Sequence, residues 1–218
     1  MAVATFWKGD TLPVLRNIPE LKAEKSFNVP LLANIMGINK MEVERRFMEQ
    51  NDAWILTFQT MPVAFGWVAR AFAPVGELER FISVPGRQIY LWNFRTLTAW
   101  RGKGFYPLLL QSIIAHELKK DIDRIWILTA PENKASTNGV VKAGFTVVGN
   151  LAYDEQNSIV LVPTAEGVRV SAALALLNVP VAPIPTKPCW CCNSPHMRKA
   201  KGECQCACNE VQGEGCIC

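Results

Sequence analysis

A mixed α/β sheet with a parallel centre, flanked by helices and followed by a short cysteine-rich tail without a core of its own, is the fold class this sequence predicts. Three observations carry that expectation. The second half alternates strand-like and helix-like runs, which sets strands side by side with helices crossing over between them. Half of the 218 residues are apolar and 19% are charged, so a sizeable core can form and wholesale disorder is excluded. All eight cysteines fall within residues 189–218.

Residues 1–50 mix short helical patterns with breakers, in ELKAEKSFNVPLLANIMGI and again in NKMEVERRFMEQ. Asn39 suits the cap of the second helix, with Glu42 three residues on as in a capping box. AWILTFQ and VAFGWVARA are strand-like runs on either side of Thr60-Met61-Pro62, which reads as a hairpin. A loop over residues 73–86 leads to a third strand, RQIYLWNFRTL. Apolar residues then recur at three- and four-residue steps through Phe105, Leu108, Leu109, Ile113 and Leu118, which predicts an amphipathic helix over residues 105–120. Pro107 is tolerated in its first turn, where amides have no intrahelical partner. RIWILTA is almost wholly apolar and suits a strand covered on both faces. Residues 133–143 read as a helix ending at Gly144, and FTVVGNLAY and SIVLVP as two further strands. TAEGVRVSAALALLN reads as a short helix, and NVPVAPIPTKP as a semi-rigid spacer.

The formal charge of +4 is too mild to argue for nucleic acid. No apolar run reaches the roughly 18 residues that a spanning helix needs. The opening MAVATFWKGDTLPVL lacks the layout of a signal peptide. The expectation is a cytoplasmic chain with neither nucleic-acid nor membrane partners.

Arg101-Gly102-Lys103-Gly104-Phe105-Tyr106 lies between a strand and a helix. Two glycines let the backbone approach a ligand and leave amides pointing outward at a helix start, which suits an anionic phosphate; Arg101 and Lys103 add positive charge. The same six residues also suit a connection that binds nothing, because short glycine motifs are frequent by chance. The stretch resembles the coenzyme A pyrophosphate loop of the GNAT superfamily of N-acetyltransferases, whose pattern is Gln or Arg, two residues, Gly, one residue, Gly or Ala. Arg101 and Gly104 match, while Tyr106 stands at the final small position. About thirty residues on, Asn133-Lys134-Ala135-Ser136 and then Lys142-Ala143-Gly144-Phe145 resemble the family's next motif. The element order fits from about residue 20 to residue 163.

The resemblance implies a GNAT-like sheet and an acetyl-CoA-dependent transfer of an acyl group to an amine on a small molecule or peptide. It implies that the strand at Phe94, Arg95 and Thr96 pairs with the pantetheine arm. Amides of Gly102, Gly104, Phe105 and Tyr106 would hold the pyrophosphate, Arg101 would shape the loop beside Lys103, and Asn133 would contact the pantetheine or adenosine portion. Family members often return the proton to the leaving thiolate from a Tyr five residues before the Phe of the Gly-Phe pair; here that position is Val140. Tyr106 and Tyr153 are the candidate substitutes, with Ser136 and Asn138 as organisers of a water and Tyr90 the remaining Tyr. For Tyr153, packing of its ring on an edge strand is the competing reading. No general base is identifiable. Glu77 and Glu79 read as a solvated loop, and His116 as a surface residue late in its helix.

The tail carries Cys189, Cys191, Cys192, Cys204, Cys206, Cys208, Cys216 and Cys218, mostly one residue apart or adjacent. Neighbouring thiols of this kind bind one ion or bridge two, and soft thiolates select Zn²⁺ or Cu(I) over Mg²⁺ or Ca²⁺. The repetition resembles metallothioneins, with His196 as an extra ligand, although Trp190 is unusual for one. An iron–sulfur cluster, a peptide cut from a precursor and an oxidation-prone tail are the other readings. The organisation expected is a GNAT-like domain over residues 1–163, a short helix and Pro-rich linker over 164–188, and a metal-binding tail over 189–218. Two functions fit: an N-acetyltransferase carrying a soft-metal tail, or a metal-buffering protein whose acetyltransferase-like domain is catalytically weak.

Overall fold

The computed structural model describes residues 1–130, 133–154, 156 and 158–182. Its strands are β1 (Ala2–Trp7), β2 (Leu21–Lys25), β3 (Asp52–Phe58), β4 (Met61–Ala69), β5 (Phe72–Val75), β6 (Arg80–Ser83), β7 (Gln88–Thr96), β8 (Arg124–Thr129), β9 (Thr146–Tyr153) and β10 (Ile159–Pro163). Its helices are α1 (Val29–Met36), α2 (Lys40–Met48), α3 (Phe105–Glu117), α4 (Lys134–Lys142) and α5 (Val168–Leu177). Eight strands form one sheet in the order β10-β9-β1-β8-β7-β4-β3-β2, and β5 pairs with β6 apart from it. β7 and β8 run parallel; the other neighbours in the large sheet are antiparallel. The parallel centre expected from the strand–helix alternation is therefore a single pair, bridged by α3.

One face of the sheet buries Ala4, Phe6, Ile89, Leu91, Ile125 and Ile127 under Leu109, Leu110, Ile113 and Ile114 of α3. Leu12 and Ile18 from the segment after β1 close the same core. The opposite face is covered in two parts. Leu32, Ala33, Met36 and Val43 of α1 and α2 pack on Ala53, Ile55, Phe65 and Trp67. The β5–β6 hairpin and α5 pack on Val3, Tyr90, Trp126, Val148 and Leu161. Asn39 caps α2 by accepting from the Glu42 amide at 2.7 Å, as its spacing implies.

Three expectations need correction. The first fifty residues hold two strands as well as two helices: β1 sits between β8 and β9, and β2, inside the stretch read as helical, is the far edge. The loop over residues 73–86 contains the β5–β6 hairpin. His116 is not a free surface group: its Nε2 is buried without a hydrogen-bond partner, and its ring meets Trp54 edge-on at 5.0 Å. The β3–β4 hairpin does form, with the turn at Gln59 and Thr60, both at positive φ (48° and 75°), and with Met61 and Pro62 already in β4. Residues 168–177, read as a helix leading into a linker, pack Ala173, Leu176 and Leu177 into the second core.

Candidate functional site

The site begins where β7 and β8 part. Their parallel pairing runs from Gln88↔Arg124 to Leu91↔Ile127, yet β7 continues to Thr96 and β8 to Thr129. An irregularity in β7 lies just past that point. Opposite Phe65 and Trp67 of β4, which have one residue between them, stand Arg95 and Trp92, which have two. The extra residue is a bulge, with Asn93 at φ 51°, and a bulge bends a strand and raises its twist. Phe94 is thereby laid against Gly66, where a Cβ would come within 2.2 Å of its ring. Open α/β sheets bind ligands at the carboxyl ends of such strands.

From Thr96 the chain makes one short 3₁₀ turn, Thr98–Trp100, and enters the glycine loop. Gly102 (φ 76°) and Gly104 (φ 78°) are left-handed, a conformation in which a side chain is strained, and open space surrounds both. Gly104 caps α3 with no side-chain hydrogen bond, so the amides of the first turn have no side-chain partner. Arg101 donates from Nε to the Thr96 carbonyl at 3.3 Å and ties the loop to β7. Lys103 lays its ammonium 4.5 Å from the Trp100 ring centre. Trp100 in turn packs on Phe58 and Phe105.

Between this loop and α4 lies a cavity of about 750 Å³. Of the nine cofactor-binding candidates named from the sequence, Phe94, Thr96, Arg101, Gly102, Gly104, Phe105, Tyr106 and Asn133 line it, and Lys103 does not. Arg95 is there too, and Ala135, Asn138, Gly139 and Lys142 present one stripe of α4. That stripe was readable from helical spacing once α4 was known to face the glycine loop. The charged groups among the described lining residues are Arg95, Arg101 and Lys142, all cationic. Cations and helix-start amides without a side-chain partner suit an anionic group such as a phosphate, and a cavity of this volume has room for more of a ligand than that group. Asn133 caps α4, its Oδ1 accepting from the Ser136 amide at 3.0 Å.

No family model matches the sequence, and no curated protein matches it. Solved structures that resemble this chain include a Bacillus subtilis acetyltransferase in complex with CoA, at 14% identity, covering 62% of this chain and 81% of that one, with a TM-score of 0.48. The ribosomal-protein-S18-alanine N-acetyltransferase of Escherichia coli is 14% identical, covering 62% and 83%, with a TM-score of 0.47. A predicted acetyltransferase with acetyl-CoA from Clostridium acetobutylicum is 20% identical, covering 58% and 90%, with a TM-score of 0.42.

The tyrosine candidates separate. Tyr106 lines the cavity from the first turn of α3; Tyr153, 4% exposed at the end of β9, does not line it. β1 lies between β9 and β8, and strand alternation puts Tyr153 on the face of Leu151, opposite α3. Tyr106 lies over Gly139, where a Cβ would come within 2.5 Å of ring atom Cδ1. Its hydroxyl accepts from Ser136 Oγ at 3.3 Å, and burial pushes the phenol up to about 12. Gly139 has ordinary helical dihedrals, so no backbone requirement explains it, and a mid-helix glycine costs about 1 kcal/mol relative to Ala. Val140, at the position where the resemblance puts a Tyr, is fully buried in the α3-side core.

Glu77 and Glu79 belong to the connection between β5 and β6. Cys189, Cys191, Cys192, Cys204, Cys206, Cys208, Cys216, Cys218 and His196 lie outside the described residues. Among the described residues no cluster of His, Cys, Asp or Glu is placed to hold a metal ion, and no helix is long and apolar enough to cross a membrane.

Proposed function

We propose that this chain is an acetyl-CoA-dependent N-acyltransferase that moves an acyl group from the thioester to an amine on a small molecule or peptide. The observation that carries the reading is the cavity at the parted ends of β7 and β8, closed on one side by the start of α3, whose cap makes no side-chain hydrogen bond, and by the two left-handed glycines before it. Amides of Gly102, Gly104, Phe105 and Tyr106 hold the pyrophosphate, which is stabilised by the positive end of α3 and by Arg101, with Lys103 adding charge from outside the cavity. The backbone at Phe94, Arg95 and Thr96, past the last β7–β8 pair, holds the pantetheine arm. Asn133 reaches the same arm or the adenosine. Acetyl transfer then needs an uncharged amine beside the held carbonyl, and proximity alone supplies several kcal/mol. A thiol-release assay with acetyl-CoA against a panel of amines, amino sugars and peptides tests this: turnover with one acceptor class supports it, and no release with any contradicts it.

Cys189 to Cys218 and His196 make a thiolate-rich tail for soft ions, Zn²⁺ or Cu(I). The buried Val140 favours a second reading, in which the folded domain binds coenzyme A or a partner but turns over slowly and the tail sequesters metal.

A further inference from the structure

We propose that a second cavity, between α3, the β2–β3 edge and the segment joining β1 to β2, binds a short-chain carboxylate, with Arg16 on the carboxylate and apolar side chains under the chain. It shares no lining residue with the cavity at the glycine loop, and it does not rest on the acyl-transfer reading. The cavity measures about 260 Å³. Buried Leu56 of β3 lines it together with Leu21 and Ala23 of β2, Leu108 of α3 and Ile18 of the joining segment, all four only partly buried. The joining segment is tied to α3 where Gln111 Nε2 donates to the Pro13 carbonyl at 2.8 Å.

The polar groups decide the class of ligand. Arg16 is the one charged group among the described lining residues, and its guanidinium makes neither an ion pair nor a hydrogen bond among the described residues. Two other polar side chains are already engaged. Ser112 Oγ donates to the Leu108 carbonyl at 2.8 Å, and the Gln111 amide hydrogens are met by the carbonyls of Pro13 and, at 3.4 Å, Ala143. The side-chain donors left for a ligand are Arg16 and Asn17. A guanidinium takes a carboxylate through two parallel N–H···O bonds. A dianionic phosphate has more hydration to shed beside this apolar lining than one guanidinium replaces, whereas a carboxylate on an alkyl chain lays the chain on Leu21, Leu56 and Leu108. The volume sets the length. At about 30 Å³ for a water's share of the liquid, the cavity holds about eight or nine non-hydrogen atoms, which is the size of hexanoate.

Calorimetry of the full chain with hexanoate, acetate and hexylamine is the test. The expected result is saturable binding of hexanoate, at least tenfold tighter than that of acetate, and no binding of hexylamine, which carries the same chain with the opposite charge. Two variants place the ligand. Arg16→Met keeps an apolar stem and removes the charge, and Ala23→Leu puts a larger side chain into the cavity; each should weaken hexanoate at least tenfold, with thermal unfolding confirming that the variant is folded. No saturable hexanoate binding by the parent, equal binding of hexylamine, or hexanoate binding unchanged in either folded variant overturns the assignment. Tighter binding of a dipeptide ending in leucine than of hexanoate overturns the free acid as the occupant.

Discussion

Glu117 is completely buried near the end of α3, and Arg70 answers it with 2.8 and 2.9 Å contacts to its two oxygens. Arg70 also reaches Asp52 at 2.7 Å, and Asp52 takes Lys25 at 2.6 Å, so β2, β3, the residue after β4 and α3 are joined by one chain of charges. A buried charge is tolerable only while its partner remains. Arg70→Met should therefore cost about 3 kcal/mol, read as a fall in the urea midpoint at unchanged m-value. Protons act on the same cluster. Asp52 is held below its ordinary value against the cost of burial by hydrogen bonds from Lys25 and Arg70; its contribution is present above the ordinary carboxylate range and lost as pH falls through the folded value. His116 is held below 6.5, first by desolvation and then by Lys120, with Lys25 and Arg70 adding to it. The unfolded chain takes up that proton before the folded one does, so stability falls as pH drops below about 6.5. In urea titrations at pH 7.5 and 5.5, His116→Leu should lose less stability between the two than the parent does. An equal loss would show that another group is responsible.

At the scale of elements, α5 is tied to the first strand by more than apolar contact. Arg169 grips both oxygens of Asp10 at 2.9 and 2.5 Å and lies 4.8 Å from the Trp7 ring centre, which Arg124 also approaches, at 4.2 Å. Burying Leu176 and Leu177 is worth about 4 kcal/mol, or roughly 10 °C in a domain of this size. Truncation after Pro163 should lower the melting temperature by at least that much, whereas truncation after Thr186 should leave it unchanged. Equal melting of the two would mean that α5 does not support the sheet. The strands and helices of the second half were legible in the sequence because each keeps its own period and its own turn residues. β2 was not: LKAEK is built of helix-favouring residues, and its pairing with β3 overrides that preference. β1 gave no alternation to read, since it is covered on both faces in the middle of the sheet. The glycine loop could be found because its chemistry is local. The pairs Gly139–Tyr106 and Gly66–Phe94 could not, because each joins residues that only the fold brings together.

The whole molecule combines a cysteine-free body with a thiol-rich end. Its cores are built of apolar side chains. Thiols must shed their protons to bind metal as thiolates, so loading of residues 189–218 should release protons and strengthen as pH rises. Elemental analysis of the reduced full chain should give about two to three Zn²⁺ or Cu(I), and the chain ending at Thr186 should give none. Metal retained by the truncated chain, or a metal-free full chain with reduced thiols, would remove the tail from the account. The central claim concerns the body, and calorimetry with acetyl-CoA on the full chain and on Gly104→Glu tests it most directly. A carboxylate at this left-handed position, at the start of α3, meets the pyrophosphate both sterically and with like charge. The account predicts saturable binding by the full chain and none by the variant, with thermal unfolding showing both still folded; equal affinity in the two, or no binding by the full chain, would contradict it.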